Sequence, residues 1–211
     1  KTVTLKVITD DAAAADLVES GKIQIAGILS TDAKRLLANP DLVSVPAQGY
    51  GSNAVLMMQK PSAATSDEKL RQGIAMLLDS VQGGAAETQG LGTPRRTLYT
   101  PNIDCYAPDA EAYAPEYDPA AAAAFLEEAG YKVGADGKRT KPDGSELTIK
   151  VVGNNTQGQI PQFIADSLEK GDIDVDLFVG TYNESIAKLL SDQFDIGSYP
   201  FTDSSPLPSP D

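Results

Sequence analysis

The residue types that most often carry enzyme chemistry are scarce in this chain. Its 211 residues include no histidine, the usual general base for a serine or cysteine nucleophile and the commonest transition-metal ligand. The single cysteine, Cys105, allows neither an intrachain disulfide nor a thiolate metal cluster, and a lone loop cysteine is more often incidental than reactive. We therefore expect no catalytic residues, no metal site and no cofactor, and we do not expect an enzyme.

Two groups of carboxylates are the remaining candidates for acid–base or metal chemistry. Asp174 and Asp176 are two residues apart in a predicted strand, so both side chains point to one face, most simply the solvated one. Residues 136–146 contain turn residues but lack the ligand spacing of a calcium-binding loop. Neither group supports catalysis or metal binding.

One glycine-rich stretch, Gly49-Tyr50-Gly51-Ser52-Asn53-Ala54, matches the GxGxxA pattern of phosphate-binding loops. Such a loop must open a helix, because the amides at the helix N-terminus hold the phosphate. The residues that follow, 55–58, favour a strand instead. We interpret the glycines as a flexible hinge that leads into this strand.

Charge and hydropathy exclude two classes of partner. A net charge of −13 argues against nucleic acid, whose phosphates need a basic surface. No segment approaches the roughly 20 apolar residues of a membrane span.

The chain begins inside a predicted strand and ends in a proline-rich run, so both ends resemble cuts in a longer protein. The lack of a signal peptide therefore carries little meaning.

The second half of the chain predicts alternating strands and helices. Strands are expected at 147–152, 173–179 and 194–199 in a common sheet, and the helices between them at 159–170 and 181–190. Asp118 and Pro119 are typical of a helix start, and Thr181 with Glu184 predicts a capping box. This β-α-β-α-β order indicates an α/β layer with parallel strands.

The first half is predicted to contain short strands, helices and one long loop. Strands are expected at 1–9, 23–29, 42–45 and 54–58, and helices at 12–20, at 32–37 and at 66–79, where Arg71 is interpreted as a structural ion-pair partner. Residues 81–116 predict a long ordered loop that carries function or covers a face. Within the loop, Arg95 and Arg96 could face an anionic ligand or solvent. Its tyrosines, Tyr99, Tyr106 and Tyr113, could stack on a ligand or pack the loop against the core.

Several segments together resemble one known family. Tyr117-Asp118-Pro119, the Ala-rich helix after it and Ala129-Gly130-Tyr131 resemble that family's "YDPxxAxxLLxEAGY" segment, and "KLRQGIAMLLD", "GDIDVDL" and "DQFDIGSYPF" resemble further marks in the same order. The family is the peptide- and nickel-type extracellular solute-binding proteins of ABC importers, called family 5. The resemblance extends from Val3 to about Asp203.

This resemblance implies a fold and a domain organisation. The expected fold class is α/β, a periplasmic-binding-protein-like lobe of type II, cluster C, with a mixed sheet flanked by helices. Residues 1–48 would be the trailing part of lobe I up to the hinge, and residues 49–211 would be lobe II, with the return hinge near the C-terminus. Residues 1–48 would form a smaller α/β piece whose sheet partners are missing.

The resemblance also implies a function, partners and a location. The chain would belong to a monomeric binding protein that takes up a peptide or similar small solute and delivers it to an ABC permease. It would be periplasmic or an extracellular, cell-surface lipoprotein. The ligand would differentially stabilise the closed arrangement of the lobes, which the permease reads.

The ligand-binding residues that the resemblance implies are Asp203, Phe201, Tyr199, Asn154 and Asn155, and the charge of the long loop adds Arg95 as a candidate. In peptide-binding relatives an Asp at the position of Asp203 pairs with the ligand's terminal ammonium, while a turn-capping role is the alternative. Dipeptide-binding relatives have an Arg after the strand at 147–152, where this chain has Asn154 and Asn155. A longer peptide or a neutral solute is therefore expected.

Two other functions remain open from the sequence. The same fold serves non-transport sensors or interaction modules, because fold does not determine function. A carboxylate-dependent hydrolase is less favoured, since no acid pair with suggestive spacing is present.

Overall fold

The structure, a computed structural model, describes residues 2–28, 32–45, 52–88, 90–97 and 106–201. The chain divides into two compact units, Lys1–Ala47 and Gln48–Asp211. The predicted hinge lies mostly outside the described residues, but Ser52–Met57 forms a strand, as expected for the segment after the glycines.

The first unit is built around two helices, α1 (Asp11–Glu19) and α2 (Asp32–Leu37). Asp10 caps α1, because its carboxylate accepts a hydrogen bond from the Ala13 backbone N–H at 2.7 Å. Arg35 of α2 links the helices through ion pairs with Glu19 and with Asp16, the latter at 3.2 Å. Both predicted helices of this unit are confirmed.

The predicted strands of the first unit are not formed. Within the described residues of 2–10, 23–28 and 42–45 there is no strand, and several of the apolar side chains there are exposed. Val3 is 83% exposed, and Val7 is 93% exposed. A strand needs a neighbour for its backbone N–H and C=O groups, and alternation alone does not supply one.

The second unit contains a four-stranded sheet and five helices within the described residues. Its elements are β1 (Ser52–Met57), α3 (Glu68–Leu77), α4 (Ser80–Thr88), α5 (Pro119–Glu128), β2 (Thr148–Asn154), α6 (Ile160–Glu169), β3 (Asp174–Gly180), α7 (Tyr182–Leu190) and β4 (Ile196–Phe201). Short 3₁₀ helices at Ala64–Ser66 and Ala110–Tyr113 lie between them.

The strand order in the sheet is β1-β4-β2-β3. β2 pairs in parallel with both β3 and β4, whereas β1 pairs with β4 in the antiparallel sense. The prediction that the last three strands share one sheet is confirmed, and the sheet is mixed, as expected.

Helices cover both faces of the sheet. The main core forms where α3, α5 and α6 pack on one face, with Ile149 and Val151 of β2 buried among them. Adjacent residues of a strand point to opposite faces. Ile196 belongs to this core, while a Cβ added at Gly197 would lie 2.6 Å from Leu189 of α7, so α7 covers the other face.

Two expectations for this unit are wrong. Residues 81–88, predicted as part of a loop, belong to α4. Asp79 accepts hydrogen bonds from backbone N–H groups in the first turn of this helix, and a Cβ added at Gly83 would lie 2.9 Å from Phe163 of α6. Small residues permit this close packing, which outweighs weak helix propensity. Arg71 donates to the backbone carbonyls of Thr65 and Ser66, and none of the ion pairs among the described residues includes it.

Candidate functional site

The parallel strands of the sheet end together at one edge. Because β2, β3 and β4 run in the same direction, their carboxyl ends meet there, at Asn154, Gly180 and Phe201. β1 runs the opposite way, and its first residue, Ser52, pairs with Phe201 at the same edge. We call this edge the carboxyl edge.

Connections leave the carboxyl edge in two directions. β2 and β3 are neighbours, but the loop after β2 leads to α6 on one face and the loop after β3 leads to α7 on the other. Where loops of adjacent parallel strands diverge in this way, a crevice opens outside the strand ends, and α/β proteins bind ligands there. The carboxyl edge is therefore the candidate site.

Gln157 fixes the loop after β2. Its Oε1 accepts a hydrogen bond from the Asn154 backbone N–H at 2.8 Å, and its Nε2 donates to Ser198 Oγ of β4, also at 2.8 Å. Gln157 and Ser198 are 4% and 2% exposed. The Asn155 backbone N–H donates to the Gly180 carbonyl at 2.9 Å, so this loop is bound to both neighbouring strands.

Within the described residues, the side-chain oxygen of Asn154 has hydrogen-bond partners and its side-chain nitrogen has none. Its Oδ1 accepts hydrogen bonds from the backbone N–H of Thr156, at 2.9 Å, and from the Thr156 hydroxyl. A backbone N–H can only donate, so the amide oxygen must face it and the amide orientation is determined. No described residue accepts a hydrogen bond from Asn154 Nδ2, although Asn154 is only 2% exposed.

Two tyrosines lie at the same edge. Tyr182 is the first residue of α7 and follows β3 by two positions, and its hydrogen bond with Tyr199 on β4 raises the pKa of Tyr182. The capping box predicted for α7 is present: the Thr181 N–H donates to Glu184 Oε2 at 2.8 Å, and the Glu184 N–H donates to Thr181 Oγ1 at 3.4 Å. Hydrogen bonds from Thr181 lower the pKa of Glu184. Tyr182 thus starts a helix of fixed orientation and remains 45% exposed.

The structure brings several of the predicted ligand-binding residues together. Asn154, Asn155, Tyr199 and the backbone of Phe201 lie at the carboxyl edge, with Asn155 exposed and Tyr199 half-buried. Asp203 lies outside the described residues.

Arg95 belongs to a different cluster. Its guanidinium donates to the Tyr106 hydroxyl at 3.0 Å and lies 3.8 Å from Glu111 Oε1. Its described contacts therefore join it to the loop around the 3₁₀ helix at Ala110–Tyr113 rather than to the carboxyl edge.

The carboxylates of β3 face solvent. Asp174 and Asp176 are exposed, and Asp174 forms an ion pair with Lys138 at 3.2 Å. Among the described residues, no group of three or more His, Cys, Asp or Glu side chains could hold a metal ion. No helix in the described part of the chain is long and apolar enough to cross a membrane.

Three site residues were not proposed from the sequence: Tyr182, Gln157 and Ser198. Tyr182 could have been found, because it follows Thr181, the first residue of the predicted capping box, just after a predicted parallel strand. The hydrogen bond between Gln157 and Ser198 joins residues 41 positions apart, and no local pattern indicates it.

Comparison with known proteins identifies the family. The family model described as "Bacterial extracellular solute-binding proteins, family 5 Middle" matches residues 1–211. No curated protein sequence matches the chain significantly.

Solved structures share the fold. The oligopeptide-binding protein AppA from Bacillus subtilis, in complex with a nonapeptide, matches with a TM-score of 0.75 and 23% identity over 92% of this chain and 40% of its own. NikA from Brucella suis, in complex with Fe(III)-EDTA, matches with a TM-score of 0.76 and 22% identity over 93% of this chain and 41% of its own. A periplasmic oligopeptide-binding protein from Thermotoga maritima matches with a TM-score of 0.80 and 19% identity over 93% of this chain and 39% of its own.

These likenesses confirm the expected periplasmic-binding-protein-like α/β fold. The chain spans about two fifths of the length of these structures. Since the family model matches every residue, the chain belongs to the bacterial extracellular solute-binding proteins of family 5.

Proposed function

We propose that this chain is part of the substrate-binding component of an ABC importer, which binds a peptide or similar small solute and delivers it to a membrane permease. The observation that carries the proposal is the divergence of the loops after β2 and β3, which lead to opposite faces of the sheet at the carboxyl edge in a chain of family 5. Amide and hydroxyl groups line this edge, and they suit recognition of a solute better than chemistry on it.

In this proposal the two units belong to two lobes. Residues 1–48 are the trailing part of lobe I up to the hinge, and residues 49–211 are lobe II, with the return hinge near the C-terminus. The exposed apolar side chains of Val3, Leu5 and Val7 support it, because strands of the remaining part of lobe I would cover them. The chain's span of about two fifths of its structural neighbours is consistent with this division.

The ligand lies between the lobes and contacts Asp203, Phe201, Tyr199, Asn154, Asn155 and Arg95. Asp203 follows β4 by two residues and binds the terminal ammonium of a peptide. A carboxylate and an ammonium in a closed cleft form a charge-assisted hydrogen bond, which contributes about 1.5–3 kcal/mol. The protein works as a monomer in the periplasm or as an extracellular lipoprotein, without a catalytic step.

The test of the function is the solute that the intact two-lobed protein carries. Mass spectrometry of protein purified under native conditions should detect a bound peptide or a similar small solute. Adding that solute back to the ligand-free protein should raise Tm without converting the solute into a product. A solute that is chemically altered on incubation would contradict the proposal and favour an enzyme.

The role of Asp203 is tested separately, in the intact protein. Asp203→Asn should weaken binding of tetraalanine about tenfold or more while Tm stays nearly unchanged, and N-acetyl-tetraalanine should bind poorly to the wild type. Equal affinity for the free and the acetylated peptide, measured by calorimetry, would show that Asp203 is not an ammonium partner.

A further inference from the structure

The side-chain donor of Asn154 has no acceptor among the described residues, which is unusual for a buried group. Most buried polar atoms in folded proteins have a hydrogen-bond partner, since an unpaired one loses its hydration without compensation. Asn154 is 2% exposed, its Oδ1 accepts two hydrogen bonds from Thr156, and no described residue accepts from its Nδ2. The structure therefore maintains a donor that the described protein groups do not use.

The surroundings hold this donor in place. The Asn154 backbone is fixed by Gln157, which is itself bound to Ser198 of β4, and the loop is fixed to β3 through Asn155. The hydrogen-bonded hydroxyls of Tyr182 and Tyr199 join the ends of β3 and β4, the two strands that flank β2. The amide is thus pre-organised, so little conformational entropy is lost when a ligand binds.

An amide N–H donor suits an uncharged oxygen acceptor. A peptide carbonyl or a sugar hydroxyl accepts such a bond without an opposite charge, and the neighbouring tyrosine hydroxyls offer the same kind of interaction. A guanidinium, which offers two parallel N–H donors and a positive charge, would bind an anionic group more strongly than an amide does.

We propose that Asn154 donates its Nδ2–H to an uncharged carbonyl or hydroxyl oxygen of the bound solute, so that this edge recognises neutral, oxygen-rich ligands. This inference rests on the proposed function and adds to it the recognising atom and the chemistry of the ligand group. Thr156 acts as a positioning residue, because its N–H and its hydroxyl donate to the amide oxygen of Asn154 and so fix the orientation of Nδ2.

The test uses the intact two-lobed protein and two defined probes, tetraalanine for the carbonyl source and mannohexaose for the hydroxyl source. In Asn154→Ser, the serine Oγ still accepts from the Thr156 N–H, but the amide donor is lost. Affinity for the probe that binds the wild type should fall about tenfold, and Tm should change little. The matched control is Gln193→Ser, an exposed amide that precedes β4 at the opposite edge of the sheet, and it should bind as the wild type does.

A second measurement covers the case in which Asn154→Ser does not fold. In the wild type, the Asn154 side-chain amide protons are followed by NMR during titration with the probe, and one of them should move downfield on saturation. The inference is overturned if these protons do not respond, if folded Asn154→Ser binds as tightly as the wild type, or if the wild type binds neither probe. The proposed function is judged independently, by the solute that co-purifies.

Discussion

Glu111 holds the loop of residues 90–97 by accepting hydrogen bonds from the Arg96 backbone N–H, at 3.1 Å, and from the Thr97 hydroxyl, at 2.5 Å. Burial raises the pKa of this carboxyl, but the hydrogen bonds from Thr97 and Arg96 and the charge of Arg95 outweigh it, and the net shift is downward. Glu111 thus acts as a hydrogen-bond acceptor that fixes the loop of residues 90–97.

This shift predicts how the loop responds to acid. Because the folded-state pKa of Glu111 lies below its unfolded value of about 4.3, its contribution to stability is present above that pH and is lost as pH falls through the folded pKa. Hydrogen exchange of residues 90–97, corrected for intrinsic rates, should be constant above pH ~5 and faster below pH ~4.

In Glu111→Gln this acid step should be absent. Glu116→Gln is the control, since the Glu116 side chain is 86% exposed and only pairs with Arg96 at 3.5 Å, and it should retain the step. An unchanged acid step in Glu111→Gln would assign the response to another group.

At the scale of elements, one buried arginine joins three segments that surround the core. Arg139, whose side chain is 2% exposed, donates from Nε to the Gly171 carbonyl at 2.8 Å and from a terminal nitrogen to the Tyr131 carbonyl at 2.7 Å. Tyr131 in turn donates its hydroxyl to Asp67, the N-cap of α3, at 3.0 Å. Burial, followed by the hydrogen bond to Asp67, raises the pKa of Tyr131, so this hydroxyl stays protonated in neutral solution. The end of α5, the start of α3 and the turn before β3 are thereby linked.

Removal of this arginine should destabilise the second unit. Arg139→Met keeps the apolar stem but leaves two buried carbonyls without a donor, which should lower the free energy of unfolding by about 3 kcal/mol in urea denaturation. Lys138→Met is the neighbouring control: its exposed ion pair with Asp174 should contribute less than about 1 kcal/mol. Equal losses in the two variants would contradict the structural role of Arg139.

At the scale of the whole molecule, the proposed cleft would take contacts from two lobes. The second unit carries the carboxyl edge, and the part of lobe I that faces it belongs to the longer protein in our proposal. A ligand held by one lobe alone would keep only part of its contacts.

This arrangement predicts a large difference in affinity. The 211-residue chain should bind the co-purified solute roughly a thousandfold more weakly than the intact two-lobed protein, because losing half of the contacts removes several kcal/mol. Isothermal titration calorimetry of both proteins measures it. The same affinity in both would show that the second unit binds without a cleft.

The sequence by itself determined the features that depend on neighbouring residues. The Asp118–Pro119 start of α5, the Thr181–Glu184 capping box and the alternation in β2 and β3 are local, and each was predicted correctly. The order of strands and helices in the second half followed from them, as did the family.

Only the tertiary structure decided the rest. The apolar alternation of residues 2–9 formed no strand, because pairing depends on a distant partner. In α4, the absence of a side chain at Gly83 permits close packing on Phe163. The divergence of the loops after β2 and β3 depends on strand order. The lack of an acceptor for Asn154 Nδ2 among the described residues depends on which atoms surround it in space. Contacts between residues far apart in sequence leave no local pattern, so the site is decided by packing.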